Sequence, residues 1–156
     1  MSLYLTVKWI HILSSVLMVG AGFGSAYFMF FVNRSRDIAA QAQVSRLVVR
    51  ADLWFTTPTI LIQPISGIIL AHLAGFPLSS PWIVWSFVLF FFAGACWLPV
   101  VWLQVRMAAI AKDCFNKGTA LPAKYWTYAR RWELLGYPAF AAMLIIFYLM
   151  VAKPTL

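Results

Sequence analysis

Apolar positions run through this chain in four long blocks. Leu3–Val32, Leu53–Leu73, Trp82–Val105 and Leu134–Ala152 each hold about the 20 helical residues that a bilayer core requires. Between the second and third blocks lies only the short, uncharged segment Ala74–Pro81; the other two gaps are polar and basic. The pattern predicts one domain, residues 1–156, that is an all-α integral membrane four-helix bundle. The basic stretches read as helical too. Ile38 to Val49 contains neither Gly nor Pro. Met107 to Phe115 continues the third block until Asn116-Lys117-Gly118 ends it, and Leu121-Pro122 starts the next helix. Pro58 and Pro64 in the second block, and Pro99 in the third, remove backbone donors. The carbonyls they free must find partners inside the bundle, for which Thr56, Thr57, Thr59, Gln63 and Ser66 are at hand.

Composition agrees with this reading. Hydrophobic residues make up 63% of the chain and charged residues 10%, against about a quarter in soluble domains. No short apolar core with a cleavage site opens the sequence, so the first helix is expected to be retained. The net charge of +8 would suggest nucleic acid were it not so unevenly placed. Of the 12 basic residues, all but Lys8 and Lys153 lie in the two polar stretches. That is the positive-inside pattern, and it predicts both termini outside and helices extended on the cytoplasmic side. The expected setting is a bacterial inner membrane, multi-pass, with the lipid bilayer as partner and no nucleic acid. Cys96 and Cys114 have neither disulfide nor metal spacing.

The candidate chemistry centres on His11. On the first helix, Lys8, His11, Ser15, Met18, Gly22 and Ser25 recur at helical spacing. This stripe reads as a packing face of small residues, joined by Gly20 and Gly24, or as one wall of a cofactor pocket. An imidazole at this depth suits a haem ligand or a proton relay. His72, near the end of the second block, is a candidate second axial ligand, although it lies nearer its helix end than His11. Met18 is a weaker alternative ligand. Glu133 stands beside Arg130 and Arg131 as an interfacial charge cluster. Lys8 and Lys153 share one membrane face and could receive haem propionates or simply snorkel.

Tyr4 to Ser14, YLTVKWIHILS, resembles the opening of a family of four-helix bacterial membrane proteins, domain of unknown function 2269. More remotely, it is similar to HemJ-type protoporphyrinogen oxidases. Arg131-Trp132-Glu133, then Pro138, then Val151-Ala152-Lys153-Pro154, resembles the fourth helix of the latter. Phe31-Val32-Asn33-Arg34 stands where those oxidases have an aromatic-His pair, and Trp132 where they have Asn. The resemblance implies haem b held by His11, with Lys8, Lys153, Arg131 and Glu133 in support. The expected function is therefore a haem b membrane protein in electron transfer or in oxidation of a porphyrin- or quinol-like substrate, with a second copy or a redox protein as partner. The alternative is a cofactor-free transport, accessory or structural subunit, in which Gln63 and Gln104 line a path.

Overall fold

The computed structural model describes residues 2–154. Its helices are α1 (Leu3–Ser35), α2 (Ile38–Ala51), α3 (Thr57–Leu73), α4 (Pro81–Lys117) and α5 (Ala123–Ala152). A π-turn over Asp52–Thr56 joins α2 to α3 without a break, so the described chain forms four rods of 33, 36, 37 and 30 residues. At about 1.5 Å per residue, each is longer than the bilayer core is thick. The excess lies at the end where the basic residues collect, called the basic end below; the other is the termini end.

The boundaries have local causes. Arg36, held at φ 56°, stops α1. The Asp37 carboxylate then accepts from the backbone N–H groups of Ala39 and Ala40 at 2.9 and 3.2 Å and starts α2. Gly118, at φ 64°, ends α4 where the sequence places the stop. The π-turn follows from Pro58. A proline in regular α-register would press its ring against the Trp54 carbonyl. In the wider register Thr57 N–H instead reaches back to Asp52 O. Side chains then answer the loosened carbonyls: Thr57 Oγ1 donates to Asp52 O at 2.9 Å, and Thr59 Oγ1 to Phe55 O at 2.7 Å.

The rods form two hairpins. The first packs α1 against α2, the π-turn and α3, and the second packs α4 against α5. They meet where α2 runs along α4 at the basic end. The packed core is there, built from Met29, Val48, Leu103, Met107, Ala111, Tyr125 and Trp132 with their neighbours. Elsewhere the backbones of α1 and α5, and of α3 and α4, make at most glancing approach. Side chains alone join α1 to α5. Phe23 stacks on Phe140 with centroids 5.4 Å apart, and Tyr125 OH donates to Asn33 Oδ1 at 2.7 Å. Gly20 and Gly24 would carry a Cβ with nothing within 4 Å, so they are not a close helix-packing seam here.

Packing this uneven has a measurable consequence. Met107 is fully buried in the core, whereas Met143 faces the open space between the hairpins. Met107→Ala should lower unfolding free energy in an SDS titration by about 2–4 kcal/mol, within the range for emptied core sites. Met143→Ala should cost clearly less.

Candidate functional site

The second rod turns a polar face inward. Its buried residues are Gln41, Ser45, Val48, Asp52, Thr56, Thr59, Gln63, Ser66 and Ala71, seven of nine polar. In a bilayer each needs a partner within the protein. At the termini end they have one. The Gln63 amide donates to His11 O at 2.9 Å and to Ser14 Oγ at 2.7 Å. Ser66 Oγ donates to Ile62 O at 2.6 Å and lies 2.7 Å from His11 Nδ1. With the serine proton committed to the backbone, Ser66 Oγ is placed to accept from Nδ1, and in that tautomer Nε2 carries the free lone pair. Gly67 makes room for the ring, as a Cβ there would stand 3.4 Å from Cε1.

Midway along the rod the polar groups are not answered. Asp52 Oδ1 accepts from Thr56 Oγ1 at 2.9 Å, but Oδ2 has no partner. The Gln104 amide stands beside this carboxyl, and its Oε1 is also unpartnered, as is Nε1 of Trp132. All three side chains are more than nine-tenths buried. All three line one cavity of about 440 Å³ between the hairpins, whose other walls are largely apolar, with Met18 and Phe23 of α1, Ala93 of α4, and Gly136 and Phe140 of α5, but also carry Thr56, Tyr27, Tyr137 and Glu133. A buried polar atom without a partner costs about 1–3 kcal/mol. Three around one apolar space, with an intramembrane carboxylate among them, mark a place built for something else.

The residues singled out in the sequence are distributed as follows. Met18 lines the cavity. His11 lies on the same helix but outside the cavity walls, against Ser66 and Gly67. His72 faces outward, about 9 Å beyond Ser66 along α3 at 1.5 Å per residue. Lys8 and Lys153 are both exposed and sit over different rings. Lys8 Nζ is 5.6 Å from its own helix's Tyr4, and Lys153 Nζ is 4.9 Å from Phe76 and 5.8 Å from Trp82. Arg131 is exposed. Glu133 pairs with Arg34 of α1, at 3.1 and 3.4 Å, rather than with Arg130 or Arg131. Ser14 rather than Ser15 takes the inward place on the α1 stripe.

Two residues were legible in type but not in role. Asp52 reads in sequence as a carboxylate at a helix start. Continuity of α2 with α3 puts it mid-rod and inward instead. Trp132, at the inner end of the fourth apolar block where tryptophan suits a membrane interface, is buried at 6% exposure instead.

A profile described as "Predicted integral membrane protein (DUF2269)" matches residues 5–154. The chain belongs to the DUF2269 family. No curated protein and no solved structure matches it. The resemblance named above brings haem into question, and the cavity's donor set does not fit one. Met18 and Met143 are its thioethers and Tyr27 and Tyr137 its phenols, no histidine lines it, and its unpartnered atoms are two acyl oxygens and an indole N–H.

The unanswered groups should be dispensable for folding and the answered ones should not. Gln104→Leu removes a partnerless amide oxygen together with the amide's contact to the Asp52 carboxyl, so the stability of the ligand-free protein should change by less than about 1 kcal/mol. Gln63→Leu removes the donor that Ser14 Oγ and His11 O accept from across the helix pair and should lose about 1–2 kcal/mol in the same SDS titration.

Proposed function

We propose that this protein binds a lipophilic, membrane-dissolved molecule in the cavity between its hairpins, through a hydroxyl-bearing head of quinol-like kind. The observation that carries this is the unpartnered trio. Asp52 Oδ2 and Gln104 Oε1 accept, and Trp132 Nε1 donates. A hydroxyl donates one proton and also accepts, so two such groups on one ring answer the trio, while the apolar walls take the rest of the molecule. Entry from lipid is supported by α1 and α5, whose backbones stay apart beside the cavity. The role that follows is presenting or carrying such a compound within the membrane, as an accessory or transport subunit would.

Gly136 provides the test. It lines the cavity, and a Cβ there meets nothing within 4 Å. Gly136→Leu should therefore fold as well as the wild type, since a helix interior gains about 1 kcal/mol when Gly is replaced. It should also weaken binding of a short-chain quinol analogue in nanodiscs by at least about tenfold, as should Asp52→Leu. Unchanged affinity in a well-folded Gly136→Leu protein would sink the reading.

The basic end is read as cytoplasmic, in a bacterial inner membrane, on the partition of basic residues alone. A cysteine placed at Lys117 should resist an impermeant thiol reagent added outside, and one at Leu78 should react. The reverse pattern inverts the topology.

A second reading keeps haem b, with a redox partner or a second copy of the chain. It is supported by the free Nε2 of His11 and by the resemblance of Tyr4–Ser14 and Arg131–Lys153 to HemJ-type oxidases. Protein expressed with ample haem should then show a Soret band that His11→Ala abolishes. A colourless wild type ends this reading and leaves the first untouched.

A further inference from the structure

At the basic end, a second crevice of about 350 Å³ opens between the end of α1 and the first turns of α5. Asn33, Arg34, Arg36, Trp126, Arg130 and Glu133 form its walls with Ala129. Three arginines and one glutamate leave it with two net positive charges. The glutamate is already spoken for. Arg34 holds it with two nitrogens, while lying 3.3 Å from the centroid of the Phe30 ring and donating to Phe30 O. Among the described residues, no carboxylate stands within ion-pair distance of Arg36 or Arg130. Arg36 sits at positive φ in the α1–α2 turn, its guanidinium 5.9 Å from the centroid of the Trp126 ring.

Basic residues at a membrane surface are common and by themselves select nothing. Asn33 is the second and independent observation. It is 4% exposed and one of the residues that line the crevice; its Oδ1 accepts from Tyr125 OH at 2.7 Å, and its buried Nδ2 has no partner. A buried neutral donor held in place beside two uncommitted guanidinium groups suits an anion with several acceptor oxygens.

We propose that this crevice binds a phosphate group, carried either by a lipid headgroup or by a soluble phosphate ester. Arg36 and Arg130 supply charge, and Asn33 Nδ2 supplies the buried donor. Arg34 and Glu133 form the fixed wall. The site is separate from the apolar cavity's reading and stands or falls without it.

The full chain in detergent is challenged with short-chain phosphatidylglycerol, short-chain phosphatidylcholine and inorganic phosphate. Lipid binding is read by native mass spectrometry and phosphate binding by calorimetry. Phosphatidylglycerol should bind at least about tenfold more tightly than phosphatidylcholine, whose choline cation the arginines repel. Arg36→Gln and Arg130→Gln should each lose about tenfold, the worth of one charge-assisted hydrogen bond. Asn33→Asp keeps an acceptor for Tyr125 and so keeps the fold, but it replaces the buried donor with negative charge and should abolish binding. Lys112→Gln, at the same end but outside the crevice, should change nothing. If inorganic phosphate binds with this variant profile and the lipids do not discriminate, the site stands with a soluble ester as its source. Equal losses from Lys112→Gln and Arg36→Gln, or no binding of any phosphate compound, overturn the proposal.

Discussion

The absence of water from the bilayer core governs this molecule. Apolar side chains gain little by leaving lipid for one another, so they do not decide how the helices turn. Polar groups do, because lipid offers them no partner. The inward face of the second rod is the clearest case. From Gln41 to Ser66 it presents amides, hydroxyls and a carboxylate, and α1 is positioned to meet them. His11 contributes both a ring nitrogen and a carbonyl, and Ser14 contributes its hydroxyl. Pro58 adds to the demand by opening the π-turn, and the threonines around it return the balance.

The bundle is tight at the basic end and hollow beside Asp52, Gln104 and Trp132. Small residues take part in both outcomes. Ala111 and Ala129 let backbones approach in the packed core at the basic end. Gly22, Gly94 and Gly136 have nothing within 4 Å of where a Cβ would be, and they leave the cavity its volume. The difference lies in what faces them. Long apolar side chains such as Met107 pack with the alanines, whereas the glycines border the open space between hairpins. The Arg34–Glu133 pair and the Asn33–Tyr125 hydrogen bond then give α1 and α5 their polar links at the basic end, where the Phe23–Phe140 stack further along is apolar. One molecule thus has a rigid base, an apolar chamber with unanswered polar atoms above it, and a basic crevice at its rim.

Four long apolar blocks, uncharged but for Lys8 near the chain's start, fixed the number of rods before any contact was known, because a bilayer core admits few other structures. Asn116-Lys117-Gly118 likewise specified the end of α4, since glycine takes the left-handed φ that stops a helix. The types of residue that would answer freed carbonyls could also be read from the chain. Which of them share a face could not. The π-turn joins α2 to α3 without a break, and that continuity places Asp52 within a rod rather than at a helix start. Nor could spacing show that Gln104 and Trp132, on two other helices, would arrive at the same place without partners. Glu133 finds Arg34 across 99 residues rather than its own neighbours. Local sequence sets where helices begin, end and bend. Only the packing of helix against helix decides which polar atoms are left facing an empty space.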